Sequence, residues 1–320
     1  SHPPRDKLTI MTIKLATTNI AIANTMAREH ADPSIKEAFQ AHLQRQNGIQ
    51  LCKALIRLTI EVQKHRGCTL AILSGDHFFE TQLFGIQRDI TANLQQIEEL
   101  RLDYLNEDEI KPTIQEWVCL RRQWRKDSVQ QNFLLHSNLI AELLKLVWLV
   151  ARRSQQMSLN EAHNQLMSFC LRDWLKLMET AAQARGLATH VAASQATKDD
   201  IQSRIRFLNT QLERLSEEFK LSIAKLHPEQ GDLLERAIAY ADFDNLLNLF
   251  QTELENHFCS TALPNIDADQ IYTSGSHVVR ACQQVLWSAL KLIEKTLSPK
   301  LQAWVEGANQ SANCEINLKQ

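Results

Sequence analysis

Turn formers are scarce in this chain: eight glycines and seven prolines serve 320 residues. A many-stranded sheet needs a tight turn at the end of almost every strand, and glycine and proline are the residues that make such turns. Long helices joined by few loops need far fewer. The apolar pattern agrees. From Ile49 to Ser74, Leu51, Leu55, Leu58, Val62, Leu70 and Leu73 recur at helical spacing, as one face of an α-helix requires. No stretch alternates with period two.

The same reading places the other elements. Asp76 caps a helix running to about Leu100 through Leu83, Ile86, Ile90, Leu94 and Ile97. Pro112 and Thr113 open a shorter helix with Ile114, Trp117, Val118 and Leu120, proline being suited to a first turn. A long helix follows from about Gln130 to Arg153. The capping-box spacing Ser158-Leu-Asn-Glu161 starts one that reaches Ala193, and Thr197 with Asp200 starts another that ends near His227-Pro228. Shorter helices lie around 233–241 and 243–257, and a last long one runs from about Asp269 to Leu297, where Pro299 stops it. Helices of about 25 residues with short connections pack antiparallel in bundles.

The chain also repeats itself weakly. A shift of 119 residues lays Leu51, Leu55, Leu58 and Val62 over Cys170, Trp174, Leu177 and Ala181, and Arg66-Gly67 over Arg185-Gly186. The expected fold is therefore all-α, with long antiparallel helices forming two related four-helix bundles. An N-terminal helical segment (1–39) precedes the main domain (40–298). Its first bundle covers about 40–129 and its second about 130–298, with a short tail at 299–320.

Composition narrows the function classes. Thirty-five basic and 37 acidic residues are mixed along the chain, for a formal charge of −2, so no basic stripe points to nucleic acid. The nearest cluster, Arg121, Arg122, Arg125 and Lys126, reads as the solvated end of a helix. Seven cysteines stand apart with no CxxC pair, the pattern of buried thiols in a reducing compartment. The apolar run Leu139 to Ala151 holds Glu142 and Lys145 and is too short to span a bilayer. Lys14 with its Thr and Asn neighbours argues against insertion of Leu8 to Met26, and the N-terminus does not read as a signal peptide. A cytoplasmic protein without membrane or nucleic-acid contacts is expected. Nor is an enzyme: no phosphate loop, GxSxG, HExxH or di-iron ExxH pattern is present, and no cofactor is called for. The eleven histidines are dispersed, and the six tryptophans sit at packing positions.

What stands out is a pair of Arg-Gly dipeptides inside strongly helical segments. A mid-helix glycine costs roughly 1 kcal/mol against alanine, so two at matching positions imply close approach of a helix or a ligand. Arg66 continues the stripe of Leu55, Leu58 and Val62; Arg185 continues that of Trp174, Leu177, Met178 and Ala181. Both guanidinium groups should be desolvated, and a buried guanidinium must be paired. Three and four residues away on either helix there is no acidic residue. Two sources of counter-charge stay open: a carboxylate on a neighbouring helix (Glu61, Glu142, Glu179 or Asp89) or a bound anion. Forked donors suit planar oxyanions, and Thr69 and Thr189, one turn on, offer hydroxyls. The candidate ligand-binding residues are thus Arg66, Gly67, Thr69, Arg185, Gly186 and Thr189.

At these residues the chain resembles the nitrate- and nitrite-sensing (NIT) domain family of bacterial signalling proteins. The matching stretches are Glu61-Val-Gln-Lys-His-Arg-Gly-Cys-Thr-Leu-Ala with Gln87-Arg88, then His136-Ser-Asn-Leu-Ile140 through Ser154 with Glu179 and Gln183-Ala-Arg-Gly-Leu187. Ile266-Asp-Ala-Asp-Gln270 with Ser276-His-Val-Val-Arg280 follows. Lys64-His65 departs from the family's acidic pair, and Ser276, His277 and Arg280 depart from its closing motif. The resemblance covers about residues 40–298 and implies two helical bundles in which nitrate or nitrite is held by Arg66 and Arg185. Relatives fuse this sensor to an RNA-binding antiterminator domain, a chemoreceptor or a kinase. About twenty residues follow Leu297, too few for such a unit. Signalling is therefore expected through a separate regulatory protein, with a homodimer as one form, unless an output unit lies outside this sequence. The contrasting reading is a ligand-free helical scaffold for protein–protein interaction.

Overall fold

The computed structural model describes residues 33–154, 161–195, 199–259 and 264–317. Residues 1–32 of the expected N-terminal helical segment (1–39), the Ser158 side of the capping box and Thr197 lie outside them. The described residues are helical and contain no strand. In chain order they form α1 (Pro33–Leu73), a 3₁₀ turn (His77–Phe79), α2 (Glu80–Leu100), α3 (Glu107–Gln123), a second 3₁₀ turn (Trp124–Lys126) and α4 (Val129–Arg153). Then come α5 (Glu161–Ser168), a π-helical turn (Phe169–Trp174), α6 (Leu175–Ser194), α7 (Asp199–Ile223), α8 (Pro228–Tyr240), α9 (Phe243–Phe258) and α10 (Ala268–Asn317). Contacts divide the chain into two compact units. Asn47–Ile293 is the larger and holds both bundles and the site. Ser1–Gln46 with Glu294–Gln320 makes the smaller, whose described residues are the first turns of α1 and the last turns of α10.

Within Asn47–Ile293 two helices are central. In α1 the runs Ala54–Ile56, Leu58–Ile60 and Cys68–Ile72 are buried, and in α6 so are Leu177–Ala182 and Ala184–Leu187. Runs that approach or exceed one turn leave little solvent-facing surface, Lys64 and Lys176 being exposed exceptions. The sequence stripes therefore understate the burial: α1 and α6 are apolar nearly all round, as helices inside a bundle must be. These are the two segments that the 119-residue shift overlays. Around α1 lie α2, α3 and α4, joined by contacts of His65 with Gln87, Trp117 and His136. Around α6 lie α7, α9 and α10. Trp174 stacks near Phe219 (4.4 Å) and Phe243 (5.0 Å), and its indole Nε1–H donates to the Cys282 carbonyl at 2.8 Å.

Several boundaries differ from the periodicity. Helix α3 begins at Glu107, ahead of Pro112, because Asn106 and Glu109 form a reciprocal capping box. That box satisfies two backbone donors and outweighs one interior proline. Glu109 also takes a bidentate pair from Arg153 at 2.7 Å, tying the start of α3 to the end of α4 and holding its carboxyl down to about 2. The expected single helix over 158–193 is interrupted by the π turn, whose extra width directs Phe169, Cys170, Leu171 and Trp174 all inward. Pro299 does not end the last helix, which continues to Asn317. One lost backbone bond does not stop a run of helix formers such as Leu301, Gln302 and Ala303 beyond it. Cys52, Cys68, Cys170 and Cys282 are buried thiols as expected, whereas Cys119 is exposed and Cys259 half-buried. Among the described residues α4 is the one helix long and apolar enough to cross a membrane, but here its apolar face, with Asn132 and His136, lines the bundle interior.

Trp174 contacts three elements at once. Replacing Trp174→Ala should cost about 3–5 kcal/mol of unfolding free energy, read as a lower denaturant midpoint with little change in helical content.

Candidate functional site

Arg66 and Arg185 are both buried, at 1% and 7% exposure, because they lie on the enclosed faces of their helices. Their surroundings differ. Arg66 makes a forked ion pair with Glu179 of α6, Nη1 to Oε1 at 2.6 Å and Nη2 to Oε2 at 3.1 Å. It also donates to Ser137 Oγ at 3.0 Å and lies over the Phe133 ring. The same carboxylate accepts from Gln63 Nε2 at 2.7 Å and Gln183 Nε2 at 2.8 Å. Of the two sources of counter-charge left open by the sequence, Arg66 has the carboxylate. It is not one half of an empty two-arginine clamp.

Among the described residues Arg185 has no carboxylate partner. Its guanidinium makes one hydrogen bond to them, Nη1 to Ser276 Oγ at 3.1 Å, its Nε–H is buried without an acceptor, and its guanidinium carbon sits 5.2 Å from the centre of the Tyr272 ring. Burial pushes its pKa down from the ordinary arginine value. The nearby charge of Arg66 adds to that effect, and Tyr272, Cys68 and Glu179 oppose it. A guanidinium stays charged in proteins, so this is a buried cation in want of an acceptor.

Arg185 lines a cavity of about 410 Å³ between α1, α2, α6 and α10. Lys64, Arg185 and Arg280 contribute three basic side chains to its wall, Gln63, Gln82, Tyr272 and Ser276 add polar groups, and among the described residues no acidic side chain lines it. Lys64 and Arg280 are exposed while Arg185 is buried; Lys64 is held by Glu61 at 2.7 Å, so the charge of the wall is partly answered at the surface and unanswered at the floor. Having accepted from Arg185, the Ser276 hydroxyl still has its own hydrogen to donate. A neighbouring cavity of about 420 Å³ shares Lys64 but carries Glu61 and Asp89, and is mixed in sign.

The other sequence candidates fall around this cavity in unequal ways. Thr69 and Thr189 turn their hydroxyls back to the carbonyls of His65 and Arg185 at 2.9 and 2.8 Å, and Thr69 also meets Asn132. Neither hydroxyl extends the cavity wall. A Cβ on Gly67 would meet Arg185 Nη2 at 3.7 Å, an ordinary contact, and one on Gly186 would meet Leu70 at 3.2 Å. The tight approach is instead at Gly275 of α10, where a Cβ would lie 2.7 Å from the Arg185 Cβ and Cγ. The sequence does not single out Gln63 or Tyr272, and for Gly275 the one available signal is a small residue one step before Ser276.

Behind Arg66 lies a buried histidine pair. His136 Nδ1–H donates to the Asn132 carbonyl (2.8 Å), which leaves its Nε2 to accept from His65 Nδ1–H, also at 2.8 Å. Gln87 Nε2 then donates to His65 Nε2 at 3.2 Å. The chain of bonds is complete only with both rings neutral. Burial accordingly lowers His65 to about 3 and His136 well below its ordinary value.

No protein-family model matches the chain, and no curated protein matches it. Among solved structures it is similar to that of the NasR transcription antiterminator, with a TM-score of 0.65 and 15% identity. The likeness covers 87% of this chain and 82% of that one. At this identity it is a likeness of fold: the arrangement of long helices in bundles is shared.

The histidine pair makes stability fall with acid. Unfolded imidazoles take up protons below about pH 6.5, while folded His65 resists them until near pH 3 and folded His136 stays neutral well below its ordinary range. The unfolded state therefore binds more protons across that window, and stability should drop by up to about 1.4 kcal/mol per pH unit for each ring. Urea denaturation at pH 7 and pH 5 measures the slope, and a His65→Gln/His136→Gln variant should flatten it.

Proposed function

We propose that this chain is a cytoplasmic, non-catalytic sensor of a small monovalent oxyanion, nitrate or nitrite, and that the anion binds in the cavity over Arg185. One observation carries the reading: a buried guanidinium with an unpartnered N–H and, among the described residues, no carboxylate partner, at the floor of a cavity that Arg280 and the Glu61-paired Lys64 also line. A planar oxyanion matches the forked donors of that group, and Ser276 offers a hydroxyl beside it. The resemblance of the Arg-Gly helices to the nitrate- and nitrite-sensing family supports nitrate and nitrite as the first anions to try. Likeness of fold to a transcription antiterminator supports a place in gene regulation. The chain then acts on a separate regulatory protein or through a homodimer. Binding shifts the packing of α1, α6 and α10 by as much as the anion prefers one arrangement over another.

Magnitude sets the working range. Two unit charges about 4 Å apart attract by roughly 4 kcal/mol at an effective dielectric near 20, the scale of a millimolar dissociation constant. Anion in about tenfold excess over that constant should raise the melting temperature by about 2 °C. Thermal shift with nitrate, nitrite and sulfate, backed by calorimetric titration, checks this. Arg185→Met should abolish the nitrate response while the protein stays folded, since it removes an uncompensated buried charge. If nitrate and nitrite leave both the melting temperature and the titration heat unchanged, the chain is better read as a ligand-free helical scaffold. The fully internal pairing of Arg66 favours that second reading.

A further inference from the structure

Three positions in the buried cluster carry formal charge: Arg66, Arg185 and Glu179. A single carboxylate against two guanidinium groups leaves one positive charge uncompensated. Glu179 is more firmly held than one ion pair requires. Its two oxygens receive four N–H groups, two from Arg66 and one each from Gln63 and Gln183. A carboxylate is itself a planar, forked, monovalent oxyanion, so Arg66 is already engaged by a group with the shape and charge of the proposed ligand. Gln63, which holds this carboxylate, also lines the cavity over Arg185. The charge of Glu179 is felt at Arg185, where it opposes the lowering by burial.

We propose that Glu179 is a built-in competitor for the anion: its carboxylate occupies Arg66 and repels incoming anions, and so sets both the affinity and the charge selectivity of the site. The inference rests on the anion reading above. With Glu179 in place the cluster has room for one negative charge, which favours nitrate or nitrite over sulfate. Without that carboxylate Arg66 is freed, the uncompensated charge rises to two, and a divalent anion becomes acceptable. A purely supporting role for Glu179, holding Arg66 in position for the ligand, leads to the opposite expectation, because its removal would then weaken binding.

The test is calorimetric titration of the full chain with nitrate and with sulfate, for wild type, Glu179→Gln and Gln183→Leu. Glu179→Gln keeps the shape and removes the charge; nitrate should bind at least tenfold tighter, and sulfate binding should appear. Gln183→Leu lies outside the cavity wall and removes one donor from the carboxylate, loosening its hold without changing charge. It should tighten nitrate by a few fold, and it covers the case in which burying an unpaired Arg66 unfolds Glu179→Gln. Wild type that binds nitrate while both folded variants bind it no better, or worse, overturns the competitor role and leaves the anion site standing. Wild type that binds nothing while Glu179→Gln binds nitrate supports the competitor role in a self-occluded site. Should none of the three bind either anion, the anion reading and this inference fall together.

Discussion

A guanidinium inside a helical bundle has no water to lean on, and Arg66 of α1 is in that position. Leaving it unpaired would cost several kcal/mol, so an acceptor must be supplied by another part of the chain. Glu179 supplies it from α6, 113 residues away in sequence, with Gln63 and Gln183 satisfying the remaining lone pairs. This pair pins the two central helices together at a defined register. Removing either partner would strand the other in a dry interior, so the interaction specifies an arrangement more than it adds net stability. The apolar surfaces of α1 and α6 can pack in several registers; the forked pair is satisfied in one.

Once α1 and α6 are fixed, Arg185 is also fixed, on the same buried helix as Glu179 but without a share of its oxygens. What approaches it is α10. Gly275 lets that helix lie against the aliphatic stem of Arg185, closer than any side chain would allow. Ser276 and Tyr272 then meet the guanidinium on either side, and Arg280 lies at the same cavity. The candidate site is thus built by the two central helices with α2 and α10 packed against them, and its charge imbalance is inherited from the pairing of Arg66. Function and packing use the same residues, and a ligand that alters the charge balance acts on the contact that holds the helices in register.

Beside Arg66, the His65–His136 pair shows the other way of burying basic side chains. Imidazole can shed its proton near neutrality and guanidinium cannot. The histidines therefore enter the core neutral, linked ring to ring and closed at both ends by Gln87 and the Asn132 carbonyl. The arginines enter charged and must find or lack an anion. The contrast confines the uncompensated positive charge to Arg185.

Much of the fold was legible in the sequence. The scarcity of glycine and proline and the 3.6-residue periodicity determined the helical class. The 119-residue shift picked out the two central helices, and the positions of Arg66 and Arg185 on apolar stripes marked them as buried. These properties depend on local spacing, which the chain carries wherever it folds. Some boundaries were not legible, since the Asn106–Glu109 cap, the π turn at Phe169–Trp174 and the passage of α10 through Pro299 turn on small local balances. The candidate site was legible only in part. Which arginine would be neutralised depended on whether Glu179 or another of the available carboxylates faced it, and four such residues were open. The place of Gly275 and Ser276 against Arg185 depended on how α10 packs across α6. Both are contacts between residues some ninety or more positions apart, and only the tertiary structure decides those, because a buried charge selects its partner by distance in space.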